Sequence, residues 1–70
     1  MAERVVIDIR EAYYPDADPR ALRIPLGSLL ADPGRLPRGR AYVLIGHDEN
    51  DAGFAARFLR ERGLDVTARR

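Results

Sequence analysis

Two dense apolar runs dominate the pattern of hydrophobic and polar positions along the chain. They occupy residues 5–9 and residues 41–45. Both are too short for a helix and almost continuously apolar, which is typical of strands covered on both faces of a sheet. Two weaker apolar segments, at residues 21–24 and 66–68, predict short strands at the edges of the same sheet.

The first predicted helix is short, because the leucines between residues 26 and 30 span little more than one helical turn. It begins near Gly27 or Ser28, and Pro33 ends it. The segment at residues 11–20 contains two prolines and no apolar period. It therefore predicts a loop between the first two strands.

A longer amphipathic helix follows a polar loop at residues 46–51. The small apolar residues on its inner face are Ala52, Ala55 and Ala56. Small side chains on that face predict close packing against the sheet. Asn50 or Asp51 is expected to cap the start of the helix, and Gly63 is expected to end it in a left-handed conformation, with Leu64 folding back over the end.

These elements alternate between strands and helices, which predicts an α/β fold: a small, mostly parallel four-stranded sheet with flanking helices. Seventy residues are enough for one domain, spanning residues 1–70, with a small core. A homodimer would cover an edge strand and bury additional apolar surface, so self-association is one expected arrangement.

Composition excludes several classes of function. The chain has no cysteine, which removes disulfides, thiolate metal sites and cysteine nucleophiles. Its basic residues are all arginine, yet the net charge is only +1, so no long-range attraction to nucleic acid is expected. No apolar run reaches the length of a membrane span, and the first ten residues lack the apolar core of a signal peptide. A cytoplasmic location is the resulting expectation.

Asp8 and Arg10 stand at the end of the first apolar run. A carboxylate at the end of a buried strand is costly unless a guanidinium or a backbone N–H pairs with it. The sequence therefore predicts a structural role for Asp8 and Arg10 rather than a catalytic one.

Five segments, in this order and spacing, resemble a single-domain rhodanese. They are VVIDIRE at residues 5–11, LRIPLGSL at 22–29, the Leu36-Pro37 pair, the apolar strand at 42–45 and AARFLRERGLDV at 55–66. The resemblance implies a rhodanese-like α/β domain whose central strand ends in a catalytic cysteine. It also implies that backbone N–H groups of the following loop hold a persulfide or an oxyanion.

The resemblance places Gly46 at the position of the family's cysteine, so the nucleophile is missing. The residues of the ligand-binding loop would then be Gly46, His47, Asp48, Glu49, Asn50 and Asp51. Three carboxylates in this loop disfavour the anions that the family handles. The chain is also shorter than family members around residues 18–22, where a His-Ile-Pro-Gly-Ala stretch is usual.

The resulting prediction is a catalytically inactive rhodanese-like domain that acts as a binding or regulatory module. It would need no cofactor, and its partner would be an unknown protein or a small ligand that contacts the loop face, with Tyr13, Tyr14 and His47 nearby. An alternative is a metal-binding or metal-dependent protein whose weak candidate ligands are His47, Asp48, Glu49 and Asp51. A hydrolase with His47 as general base is a third hypothesis, although no serine, threonine or cysteine lies near it in sequence.

Overall fold

The computed structural model describes residues 4–11 and 19–69, except that the side chain of Glu49 is not described. The elements in chain order are strand β1 (Arg4–Asp8), strand β2 (Leu22–Arg23), helix α1 (Leu26–Ala31), a 3₁₀ turn (Pro33–Arg35), strand β3 (Ala41–Ile45), helix α2 (Glu49–Arg60) and strand β4 (Asp65–Arg69).

The four strands form one sheet in the order β2-β1-β3-β4, and every neighbouring pair is parallel. The α/β prediction is therefore confirmed, and the sheet is parallel throughout. The two dense apolar runs are the central strands β1 and β3, and the two weaker segments are the edge strands β2 and β4. Asp8 at the end of β1 is level with Ile45 at the end of β3, so both central strands finish at the same edge of the sheet.

The core lies between one face of the sheet and the two helices. Partners in the parallel register point to the same face, so Ile7 and Leu44 share that face with the pair Tyr42 and Val66. Leu29 from α1 and Leu59 from α2 are fully buried in the same cluster. Burying these side chains supplies the main stabilisation of the fold, at about 25 cal/mol per Å² of apolar surface removed from water.

Helix α2 approaches the sheet closely because its inner positions are alanines. Ala52, Ala55 and Ala56 are all buried, whereas Arg57 and Arg60 face outward. This is the amphipathic pattern that the sequence predicts. Most of the packing of α2 is against the neighbouring strand β4.

The end of α2 also follows the prediction. Gly63 has a φ of 87°, in the left-handed region that favours glycine. Beyond it, the Leu64 N–H donates to the Leu59 carbonyl at 3.2 Å, and the Leu64 side chain is buried. This arrangement pairs one of the last carbonyls of the helix and turns the chain into β4.

Several predicted boundaries differ from the structure. Strand β1 ends at Asp8 and β4 begins one residue earlier and ends one later than predicted, at Asp65 and Arg69. Strand β2 is only two residues long, because the chain turns into α1 at Pro25, which has no N–H to donate to a ladder. Tyr13 and Tyr14, predicted to lie near the loop face, are outside the described residues.

Neither described helix has the length and apolar character needed to cross a bilayer.

Two glycine-to-alanine substitutions test the end of α2. Gly63→Ala is expected to lower the free energy of unfolding by about 1–2 kcal/mol, because alanine resists the left-handed conformation. Its Cβ would also lie 2.5 Å from Nη1 of Arg38. Gly53→Ala, inside α2 with nothing within 4 Å of its Cβ, is expected to raise the free energy of unfolding by up to about 1 kcal/mol. Urea unfolding measures both changes in free energy. Equal effects of the two substitutions would contradict the left-handed conformation of Gly63.

Candidate functional site

The loop between β3 and α2 is shorter than the sequence predicts. Helix α2 begins at Glu49, so Glu49, Asn50 and Asp51 form its first turn rather than part of a six-residue loop. The residues between strand and helix are only Gly46, His47 and Asp48. The predicted boundary at Asp51 is wrong because an aspartate earlier in the chain caps the helix.

Asp48 is the N-cap of α2, in place of Asn50 or Asp51. Its backbone is extended, and its Oδ1 accepts a hydrogen bond from the Asp51 N–H at 2.9 Å. The Ala52 N–H points to the Asp48 carbonyl at 3.4 Å. The Asp48 side chain thus pairs with a backbone N–H that the resemblance assigns to an incoming anion. The spacing of Asp48 and Asp51 matches the cap-to-third-residue spacing of a capping box and is the sequence signal for this boundary.

Gly46 lies directly beneath the start of α2. A Cβ at this position would be 2.9 Å from the Ala52 nitrogen and 3.0 Å from the Asp48 carbonyl oxygen. Two of its three closest neighbours are therefore backbone atoms, which cannot move aside without moving the helix. The loop in this conformation has no room for any side chain at the position where the resemblance expects a cysteine.

The other described side chains of the predicted loop differ in burial. His47 and Asn50 are exposed, and Asp51 is half-buried at the first turn of α2. Among the side chains that the structure describes, no three histidines, aspartates or glutamates come together as metal ligands. The hypothesis of a cation site stays a prediction, because the side chain of Glu49 is not described. The described side chains give it no support.

Asp8 and Arg10 form an ion pair at the same edge of the sheet. Asp8 is 1% exposed, and it is the buried charged residue of the described core. Its Oδ2 accepts from Nη2 of Arg10 at 2.9 Å, and its Oδ1 accepts from both the backbone N–H and Nε of Arg10 at 3.0 Å. Every oxygen of the buried carboxylate is therefore hydrogen-bonded.

The Arg10 guanidinium holds the pKa of Asp8 below its ordinary value, through the side-chain hydrogen bonds first. Burial of the carboxyl acts in the opposite direction, while the Arg10 N–H and the positive charges of Arg10 and Arg23 lower the pKa further. A carboxylate in this state is a poor proton acceptor, so Asp8 is unsuited to general-base catalysis.

The ion pair and the loop are held side by side by the backbone. The Ile9 N–H donates to the Ile45 carbonyl at 2.9 Å, which ties the end of β1 to the residue before Gly46. The structure therefore brings Asp8, Arg10 and Gly46 to one edge of the sheet. The serine and the threonine of the chain are not part of the loop: Ser28 lies in α1 and Thr67 in β4.

Comparisons with protein-family models, with curated proteins and with solved structures give no match to this chain. The rhodanese resemblance therefore depends on the sequence motifs alone.

Gly46→Ala tests the close contact beneath α2. We expect it to lower the free energy of unfolding by about 1–3 kcal/mol, because the added methyl group forces the first turn of the helix away from the strand. The matched control is Gly34→Ala, whose Cβ would make an ordinary 3.8 Å contact with Asp32 and should change stability by less than about 0.5 kcal/mol. Urea unfolding compares them, and a neutral Gly46→Ala would show that the loop has spare room.

The Asp8–Arg10 pair predicts a specific dependence of stability on pH. Because the pKa of Asp8 is lower in the folded chain than in the unfolded chain, the pair stabilises the fold above the unfolded value of about 4. This stabilisation is lost as the pH falls through the lower folded pKa. Asp8→Asn should lower the free energy of unfolding by about 2–4 kcal/mol at pH 7. It should also make that free energy decline less steeply below a pH of about 4.

Two measurements check this expectation. Carbon NMR of the Asp8 carboxyl gives its folded pKa in the unaltered protein, and urea unfolding across the acid range gives the stability profile. Asp65→Asn, at an exposed position at the start of β4, is the control and should keep the acid decline. An Asp8 pKa at or above 4 would contradict the assignment.

Proposed function

We propose that this chain is a non-catalytic, rhodanese-like module that works by binding a partner or ligand rather than by transferring sulfur or phosphate. The observation that supports the proposal most strongly is the contact between Gly46 and the start of α2. A reactive side chain is absent at that position, and the surrounding backbone leaves no space for one.

The electrostatics of the loop support the same proposal. A helix N-terminus attracts anions because its first N–H groups are unpaired and carry a partial positive charge. Here the Asp48 carboxylate already accepts from one of these groups, and Asp51 adds a second carboxylate in the first turn. An incoming thiosulfate or phosphate would have to displace the Asp48 carboxylate from this N–H group. It would also have to approach the negative charges of both Asp48 and Asp51.

The neighbouring ion pair has a structural part in this proposal. Asp8 and Arg10 neutralise each other at the end of β1, which leaves neither group available to activate a substrate. Loops at the carboxyl ends of parallel strands present variable residues to ligands in α/β folds. His47 and Asn50 have exposed side chains there and are therefore the contact residues that we propose for a partner.

Sulfur transfer to cyanide tests the proposal directly. The purified chain, incubated with thiosulfate and cyanide, should form no thiocyanate above the buffer rate, since it has no atom that could hold the transferred sulfur. Gly46→Cys supplies a thiol at the position that the resemblance indicates. We expect this variant to stay inactive as well, because the Asp48 carboxylate already accepts from a helix N–H and the added Cβ displaces the loop.

Circular dichroism and thermal melting must accompany the assay so that inactivity of Gly46→Cys is read only from folded protein. Gly34→Cys is the matched control, because a Cβ there would make only an ordinary 3.8 Å contact with Asp32. Thiocyanate formation by the unaltered chain would overturn the proposal. Activity in folded Gly46→Cys, but not in Gly34→Cys, would show that the loop is a working anion cradle and that only the thiol is lacking.

A further inference from the structure

A groove of about 410 Å³ lies between edge strand β2 and the connector that leads from the 3₁₀ turn to β3. Val5 and Tyr42, each the second residue of its strand, contribute to its floor. Edge strand β2 forms one wall, and the connector from the 3₁₀ turn to β3 forms the other. A volume of this size is in the range of small-molecule sites.

The lining of the groove is largely apolar. Its uncharged residues are Val5, Leu22, Ile24, Leu36, Pro37 and Tyr42. Leu22 is 51% exposed, one of two large hydrophobic side chains that the described surface leaves open to this extent. An exposed leucine beside an apolar groove costs solvation free energy that a bound apolar group would recover.

The connector wall is held in place before any ligand binds. The Tyr42 hydroxyl donates a hydrogen bond to the Pro37 carbonyl, which ties the connector to the second residue of β3. Leu36 is buried in the core on the same segment. A wall anchored at both of these points loses little conformational entropy on binding, which favours affinity.

The charged residues that line the groove are all arginines: Arg23, Arg35 and Arg40. No acidic residue is among the lining residues. Within the part of the chain that the structure describes, the guanidiniums of Arg35 and Arg40 make no hydrogen bond or ion pair, whereas that of Arg23 donates to the Arg10 carbonyl. Two exposed arginines that line an apolar groove match the carboxylate of an amphipathic ligand, which a guanidinium binds in a bidentate manner.

A neighbouring groove shows what structurally engaged arginines look like in this fold. It is lined by Arg38 and Arg62 on the opposite side of the connector. Arg38 donates from Nη2 to the Arg62 carbonyl at 2.9 Å, while Arg62 donates to the Phe58 carbonyl and lies over the Phe58 ring. These contacts explain the two arginines by packing alone. Among the described residues, no comparable contact accounts for Arg35 and Arg40.

We propose that this groove binds a small amphipathic carboxylate. The apolar part of the ligand lies on Val5, Leu22 and Leu36, and its carboxylate is held by Arg35 and Arg40. The groove shares no residue with the loop around Gly46. The assignment therefore stands or fails independently of the proposed loss of catalysis.

Nitrogen–proton NMR titration of the full chain with octanoate tests the assignment. Octanoate should cause saturable shifts at amides of the groove, in residues 22–24 and 35–40. Acetate, which lacks the apolar part, should cause none. Octanol, which lacks the charge, should bind at least about ten-fold more weakly than octanoate, since a charge-assisted hydrogen-bond pair contributes at least that factor.

Two double substitutions separate the contribution of the groove arginines from a general effect of positive charge. Arg35→Gln with Arg40→Gln should weaken octanoate binding by about ten-fold or more and leave octanol binding unchanged. Arg57→Gln with Arg69→Gln removes the same charge from exposed positions outside the groove and should leave octanoate binding within about two-fold. All four positions are exposed, so neither double variant should lose the fold.

Four outcomes would overturn the assignment. Octanoate could cause no saturable shift, or its shifts could centre on the exposed aromatic pair of α2, Phe54 and Phe58. The two double variants could also weaken binding equally, which would leave only a general charge effect. Saturation of the groove by an acidic peptide of alternating Glu and Val, with no response to octanoate, would instead assign the site to strand addition on β2 and refute the small-molecule proposal.

Discussion

The close packing of helix α2 on the sheet is the constraint on which the rest of the structure depends. Three alanines let the helix axis approach β3 and β4, and Leu59 then fills the space beneath its last turn. The same approach brings the Ala52 backbone to within 2.9 Å of the place where a Cβ of Gly46 would be. Helix α2 can therefore lie this close to the sheet only because residue 46 has no side chain.

The fold was predictable from the sequence to the extent that periodicity determines it. The runs around Ile7 and Leu44 indicated the central strands because they are short and almost continuously apolar, although the core cluster with both helices lies on one face of the sheet only. The left-handed conformation at Gly63 was equally clear, since few other residues follow a helix in this way. Pattern alone placed the start of α2 at Asn50 or Asp51. The cap is instead Asp48, which accepts from the Asp51 N–H, and the spacing of these two aspartates is the local signal that the prediction did not use.

The candidate sites also differ in how far the sequence predicts them, depending on whether their residues are close in the chain or only in the fold. The Asp8–Arg10 pair is two residues apart in sequence, so a local rule anticipates the contact that the structure contains. The groove is different, because its walls come from β2 and from a connector that has no apolar period. Arg35 and Arg40 read as ordinary connector residues in the sequence. Only the folded arrangement brings these two arginines to the same groove as Val5 and Leu22.

The parallel register also has a consequence for the order in which the sheet is assembled. Strands β3 and β4 are separated by little more than helix α2, so their pairing closes a short loop. Strand β1, in contrast, pairs with β3 across β2, α1 and the 3₁₀ turn. The entropy of closing a loop grows with its length, and contacts between distant residues slow folding. The pairing of β1 with β3, in the well-buried middle of the sheet, therefore costs more entropy during folding than the pairing of β3 with β4.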